Sequence, residues 1–400
     1  MRILIISQYF WPENFRINDI ALGLKDKGHE VVVLSGIPNY PEGNFFEGYQ
    51  SGPKDEYWKG IKIYRSRLIS RGHGGGVRLF LNYFSFAFFA SLKIFKIKEN
   101  IDSILVFEPS PITVGIPAMV AKYRFKAPYS FWVQDLWPAS LTAAGGVKNK
   151  IVIKIFDKLT KIIYKYAEKV LIQSQRFRDY ILLQNVPDEK IVYVPNTTED
   201  FYFSIKRTSK FLDLLPSGFK IIFAGNIGEA QSLDTFINAT KILITRGYPI
   251  NWIIIGDGRY KSVLEKRVNL LGLENYIHFL GRYPAIDMAN FFSHADALYV
   301  TLRKDYIFSL TIPSKVQSYL ACEKPILASL DGEGAKIIKE SNSGFVSPAE
   351  DVNELVKNVI NLYELSNDER LALGRNGLEY FNREFNRNVV LDKLEKVLSL

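Results

Sequence analysis

The sequence predicts an α/β protein of two Rossmann-like domains facing across a cleft. Three observations predict it. Short apolar runs alternate with helical patterns along the chain, the alternation starts afresh after residue 200, and strands of the second half end in glycine-rich turns. The length agrees, since 400 residues hold about two domains at roughly 100–200 residues each. With 47% hydrophobic and 23% charged residues the chain is not disordered. A single cysteine, Cys322, excludes a disulfide framework. Four scattered histidines (His29, His73, His278 and His294) leave little for a zinc site.

The opening MRILIIS is too short an apolar run for a secretion signal, and Gln8, Glu13 and Asn14 follow it. It reads as a first buried strand, Ile3–Ile6, in a cytoplasmic protein. Ile17–Lys27 has helical periodicity and Gly28 closes it, with Val31–Leu34 as the next strand. Ile104–Phe107, Tyr129–Val133 and Lys169–Gln173 are further strands. No GxGxxG loop occurs in this half. Polar, irregular chain between Asn196 and Gly218 reads as a linker. Then come strand Lys220–Ala224, helix Leu233–Arg246 and strands at Trp252–Ile255, Ile277–Leu280, Ala297–Val300, Pro325–Ala328 and Gly344–Val346.

Two stretches of the first half stand out. Val77–Phe95 is the most aromatic part of the chain, with Phe80, Phe84 and Phe88 at helical spacing. It falls short of the about 20 apolar residues a spanning helix needs, so it is either a buried helix or one lying in a membrane interface. Between Gly146 and Val170 there are seven lysines, and six of them (Lys150, Lys154, Lys158, Lys161, Lys165 and Lys169) fall on one helical stripe. That stripe is either a solvated face over a core-packed helix or a contact for an anionic surface. A nucleic-acid partner is not expected, because no recognisable reading motif accompanies the basic residues.

The turns at Gly225-Asn226-Ile227-Gly228, Gly256-Asp257-Gly258 and Gly281-Arg282 let a ligand approach the backbone, and amides there can hold phosphate oxygens. In Ile312-Pro-Ser-Lys315, Ser314 is expected to cap a helix whose free amides and Lys315 would bind an anion, or simply to cap it. Asp135 and Glu108 stand at strand ends of the first half. Asp135 either takes a hydroxyl proton or caps the following segment, and Glu108 either bonds a sugar or sits in a loop. Glu333 either caps a helix or reaches a ligand.

The order FAGN, IGDG, FLGR, ADA, IPSK, SYLACEKP, GEGA, SGFV resembles the donor domain of the family 4 glycosyltransferases, of GT-B fold. Gln8–Asn18 and Trp132–Pro138 look like the bacterial branch with the N-acetyl-L-fucosamine transferases of O-antigen and capsule synthesis and the colanic acid transferases. The resemblance implies a retaining transferase that needs no metal and no cofactor. It would use a UDP-sugar donor and an undecaprenyl-diphosphate-linked acceptor, at the cytoplasmic face of the inner membrane. Residues 1–199 would bind acceptor and membrane, residues 200–378 the nucleotide sugar, and 379–400 would return to the first domain. Leu310 and Ser318 stand where the family has two glutamates, Asn226 and Gln231 where it has Arg and Lys, and Gln134 where it has His. The diphosphate charge then falls to Lys315, with Arg16 or Arg303. No Asp-x-Asp motif is present. Two alternatives remain: a sugar-nucleotide epimerase of the same fold, and a non-catalytic nucleotide-sugar-binding protein.

Overall fold

Parallel strands covered by helices on both faces read as continuous apolar runs, and the computed structural model builds two sheets from such runs. It describes residues 1–72, 76–143, 147–203 and 210–399. His73, Gly146, residues 204–209 of the expected linker and Leu400 lie outside these.

The first unit, Met1–Asn196 with Arg387–Leu400, starts with β1 (Arg2–Ile6), α1 (Arg16–Asp26), β2 (Glu30–Gly36), β3 (Glu56–Trp58) and β4 (Ile61–Ser66). It continues with α2 (Gly76–Ile94), β5 (Ser103–Glu108), α3 (Gly115–Phe125), β6 (Tyr129–Val133), α4 (Ala139–Ala143) and α5 (Lys150–Tyr166). The last elements before the crossover are β7 (Lys169–Ile172), α6 (Phe177–Leu183) and β8 (Ile191–Tyr193). Among the described residues its sheet runs β3-β4-β2-β1-β5-β6-β7-β8, parallel except for β3.

The second unit, Thr197–Asn386, carries β9 (Phe219–Ala224), α7 (Asp234–Thr245), β10 (Ile250–Ile255), α8 (Lys261–Leu270), β11 (Ile277–Gly281), α9 (Met288–Ser293) and β12 (Ala297–Thr301). Then follow α10 (Tyr306–Leu310), α11 (Ser314–Ala321), β13 (Ile326–Ser329), α12 (Glu333–Glu340), β14 (Gly344–Ser347), α13 (Val352–Glu364) and α14 (Asn367–Glu384). Its sheet is parallel in the order β11-β10-β9-β12-β13-β14. Both orders place the crossover of direction beside the first strand, where open α/β sheets bind ligands at their carboxyl ends.

Three boundaries differ from the sequence reading. The return to the first unit begins at Arg387 instead of 379, because α14 runs unbroken to Glu384. There α15 (Arg387–Leu398) lays Val390, Leu391 and Leu394 against Ile17, Ile20 and Leu24 of α1, and Arg387 bonds Asp19 at 2.8 Å. The division between units falls at Asn196/Thr197, and part of the expected linker is packed: Phe203 meets Phe381 and Phe211 stacks on Phe291. Strands β3 and β4 were not foreseen. Their pairing is held by Arg65, which is fully buried, ion-paired to Glu56 and bonded to the Gly36 carbonyl at 3.1 Å.

Candidate active site

In the second unit the ends of β9, β10 and β11 are tied backbone to backbone. The Gly225 amide donates to the Ile255 carbonyl, the Ile227 amide to Asp257, and the Gly256 amide to Gly281, each at 2.8 Å. Such close turns exclude side chains. Gly225 and Gly256 have φ of 143° and 144°, and a Cβ at Gly256 would lie 1.9 Å from the Gly225 carbonyl oxygen. A Cβ at Gly258 would similarly strike the Ile227 carbonyl.

Lys315 fills the space that Gly225 leaves. A Cβ there would sit 2.7 Å from its Cε and 2.8 Å from its Nζ. The ammonium lies 4.9 Å from the Phe223 ring centroid and donates to Gln231 Oε1 at 3.2 Å. Burial pushes its pKa down to about 8, and no carboxylate among the described residues offsets this. The structure thus brings together Gly225, Gly228, Gln231 and Lys315, with Gly256 and Asp257 on the adjoining turn. Asn226 is exposed, its Nδ2 against Gly228. Arg282 follows β11 and is exposed. Arg303 pairs with Asp305 at 3.7 Å and is thereby partly spent.

Ser314 is not the cap expected of it. Pro313 holds the extended N-cap position and Ser314 is the first helical residue, exposed, so its side chain closes no cap bond. The anchoring is done from below: the Ala224 amide donates to Tyr319 Oη at 3.2 Å, which fixes α11 against β9. Ser318 faces inward, sharing a 2.8 Å hydrogen bond with Thr198 Oγ1 and donating to the Ser314 carbonyl at 3.2 Å. Glu199 Oε2, 3.1 Å from Thr198 Oγ1, is an alternative acceptor for the one Thr198 hydroxyl proton. Glu333 is buried as the first residue of α12, so Gly332 and not Glu333 is the cap.

In the first unit Glu108 is the last residue of β5 rather than part of a loop, and is fully buried. Neither of its oxygens closes a hydrogen bond. Burial and the neighbouring Asp135 charge hold its pKa well above the usual carboxylate range. Asp135 lies two residues beyond β6 and is half-buried, with its pKa lifted by burial to about 6. It caps nothing, because α4 starts at Ala139. Gln134 accepts from Asn196 Nδ2 at 2.7 Å. Arg16, expected at the donor, belongs to this unit as the first residue of α1.

Helix α2 turns Asn82, Phe86, Ala87, Ala90 and Ile94 inward and leaves Phe80, Leu81, Phe88 and Leu92 exposed, with Phe88 61% exposed. By length and apolarity alone it meets the requirement for a membrane span, but its inner face packs on the domain. The α5 lysines Lys154, Lys158 and Lys165 are exposed, and Lys161 pairs with Asp157 at 2.8 Å. Lys169 belongs to β7, not to this stripe. The sequence left open whether the apolar residues of α5 pack on the core or flank a surface contact. Phe156, Thr160, Ile163 and Tyr164 go to the core, but Ile151 is 70% exposed and Ile155, Ile162 and Tyr166 are exposed too. Phe84 of α2 reaches Phe156 of α5 with ring centroids 6.0 Å apart, which makes the two helices neighbours on one surface.

Two family models match the chain, one described as glycosyl transferase 4-like domain over residues 14–197 and one as glycosyl transferases group 1 over residues 218–365. The chain is 25% identical to the glycosyltransferase WbjE of Pseudomonas aeruginosa, over 82% of each chain. It is also 25% identical to the colanic acid biosynthesis glycosyl transferase WcaI of Escherichia coli K12, over 80% of this chain and 81% of the relative. The structure of Anabaena HepE in complex with UDP and glucose superposes with a TM-score of 0.70 at 16% identity, covering 100% of this chain and 99% of that one.

Proposed function

The chain belongs to the family 4 glycosyltransferases and has their GT-B fold, and from that premise we propose that it moves a sugar from a UDP-sugar to an undecaprenyl-diphosphate-linked acceptor in bacterial surface polysaccharide synthesis. N-acetyl-L-fucosamine is the proposed donor sugar. The observation that carries the reading is Lys315, an ammonium with no carboxylate partner among the described residues, packed against the bare Cα of Gly225 at the end of β9. Similarity to the colanic acid enzyme of Escherichia coli and to the capsular polysaccharide glycosyltransferase CapM of Staphylococcus aureus supports surface polysaccharide as the product.

The chemistry follows from the residues. As the bond from sugar to diphosphate breaks, negative charge grows on the leaving oxygen, and Lys315 with the first amides of α11 opposes it. The acceptor hydroxyl attacks from the side the diphosphate leaves, so configuration is retained. Asp135 accepts the hydroxyl's hydrogen bond and orients it. The test is a panel of nucleotide sugars incubated with bacterial lipid extract. Expected is transfer from one UDP-sugar to lipid with the anomeric configuration kept. Conversion of the sugar without acceptor would indicate an epimerase, and binding without turnover a non-catalytic protein.

Charge neutralisation by Lys315 and backbone amides makes a divalent ion unnecessary. Turnover is therefore expected to survive EDTA unchanged. Loss of activity with EDTA and its return with Mn²⁺ would contradict this.

We place the enzyme at the inner face of the cytoplasmic membrane, on the surface formed by α2 and α5. Phe80, Phe88 and Ile151 would enter the acyl boundary while the lysines meet anionic head groups. A lysine near such a surface contributes about 1 kcal/mol, so four of them supply most of a reversible attachment. The combined Lys154→Glu, Lys158→Glu, Lys161→Glu and Lys165→Glu variant is expected to pellet with anionic vesicles at least about tenfold less well than wild type. High salt should mimic it, since the Debye length falls to about 3 Å at 1 M. Equal sedimentation would leave the stripe a solvated face.

A further inference from the structure

Arg71 has no carboxylate partner among the described residues, yet it is carefully held. Its amide donates to Asn39 Oδ1 at 3.1 Å, its Nη1 donates to Tyr9 Oη at 3.2 Å, and its guanidinium lies 4.9 Å from the Tyr40 ring centroid. Tyr9 stacks on Phe15 with centroids 5.0 Å apart, and Tyr40 leans on both rings. Behind them is a buried polar lattice. Gln8 Nε2 donates to Asn82 Oδ1 at 2.7 Å, and Asn82 Nδ2 donates to Asn39 Oδ1 at 3.3 Å and to the Ile69 carbonyl at 2.6 Å. Gln8 is 1% exposed and its Oε1 finds no partner. Asn82 belongs to α2, so the lattice ties Arg71 to the root of the aromatic helix.

A guanidinium positioned by neutral groups keeps its full charge and several N–H donors for a ligand. Such a fork suits phosphate. The surroundings say what kind of phosphate. Tyr83, the residue after Asn82 on α2, lies near enough to Arg71, Asp135 and Glu108 to feel the charge of each. Phe80, Leu81 and Phe84 lie within a turn of it on the same helix, the first two exposed. An apolar helix face, a guanidinium and two carboxyl groups thus stand around one tyrosine. A lipid-linked sugar has the three matching parts: apolar chain, phosphate, hydroxyl-bearing ring.

We infer that Arg71, set against Tyr9 and Tyr40, binds the diphosphate of the lipid-linked acceptor and so registers its sugar at Asp135. This rests on the lipid-linked acceptor proposed above. The aromatic rings limit water around the ion pair, and the stacked Tyr9–Phe15 pair keeps the site shaped before the ligand arrives.

The test uses the full chain with saturating UDP, which occupies the donor's own diphosphate site in the second unit. Geranyl diphosphate is then titrated by calorimetry, beside inorganic pyrophosphate, geraniol and phosphatidylglycerol micelles. Wild type is expected to prefer geranyl diphosphate over the other three. Arg71→Gln should weaken that binding at least tenfold, Arg71→Lys should recover part of it, and neither should shift the thermal midpoint of the ligand-free protein. Equal binding by Arg71→Gln overturns the inference. So does loss in Arg71→Lys and Arg71→Gln alike with a lowered midpoint, which would make Arg71 structural. Pyrophosphate binding as tightly as geranyl diphosphate overturns the lipid assignment, and preference for phosphatidylglycerol makes the site a head-group contact instead. If UDP binds and geranyl diphosphate does not, this inference fails alone. If UDP itself does not bind, the donor reading fails.

Discussion

Replacing Lys315 by alanine is expected to weaken UDP binding by about ten- to a hundredfold, from the ~1.5–3 kcal/mol of a hydrogen bond to a charged group. The effect is large because, among the described residues, the other cations at these turns, Arg259 and Arg282, are exposed. Gln231 and Asn226 are neutral, and Arg303 is committed to Asp305. The pH dependence gives a second readout. Burial lowers the lysine pKa to about 8, so the free protein carries the ammonium below that pH and loses it above. A diphosphate favours the ammonium, so UDP binding takes up a proton above pH 8 and affinity falls as pH rises through 8. For stability the sign is the reverse of a paired lysine. The cost of burying the charge is present in full below about 8 and fades as pH rises towards the ordinary lysine value of 10.5. UDP at 100 times its Kd should therefore stabilise the fold by about 2.7 kcal/mol, and the same multiple of Kd is reached at lower UDP concentration below pH 8. Lys315→Arg keeps its charge, and with it the alkaline fall should vanish. Calorimetric titration of UDP between pH 6 and pH 9 measures both; unchanged affinity in the alanine variant would place the phosphate elsewhere.

The elements legible in the sequence are those whose burial leaves a local mark. Ile3–Ile6 and Trp252–Ile255 are covered on both faces and so carry unbroken apolar residues, and the glycines after β9 and β10 mark turns too tight for a Cβ. β4 left no such mark. Its sequence IKIYRS carries charged Lys62 and Arg65, and only the distant Glu56 and Gly36 contacts explain how Arg65 is buried. At the site, the identity of Lys315 was readable but its position beneath Gly225 was not, since it depends on Tyr319 pinning α11 to β9. The pairing of Ser318 with Thr198 and the holding of Arg71 by Tyr9 likewise join residues far apart in the chain. A serine after Ile-Pro suggested a cap, but proline already supplies the extended N-cap geometry, which moves the serine into the helix. The α5 isoleucines stayed open for a related reason: periodicity finds a helix's apolar side but does not say whether protein or another apolar phase covers it.

Asp135→Asn is expected to lower turnover by about 10²- to 10⁴-fold, the range for losing a positioned proton acceptor, with UDP affinity and thermal midpoint unchanged. Burial raises its pKa to about 6, so at pH 7 it is mostly ionised and more basic than an ordinary carboxylate. Glu108 makes this possible. It lies on the neighbouring strand, paired with Val133 in register, and is the more deeply buried of the two. Two negative charges in a poorly solvated place oppose each other, so of the two the one with more water, Asp135, ionises first, while burial and the Asp135 charge hold the pKa of Glu108 well above the usual carboxylate range. On the proposed mechanism the role of Glu108 is to position and tune Asp135, the group assigned there to the acceptor hydroxyl. The rate should therefore fall as pH drops through about 6, because protonation removes the acceptor for the hydroxyl's hydrogen. In the residual activity of Asp135→Asn that acidic limb should be absent, and in Asp135→Glu it should persist at reduced rate. A variant Asp135→Asn that turns over as wild type, or that keeps the same limb, would show that another group handles the acceptor hydroxyl and that the carboxylate at the end of β6 serves the fold alone.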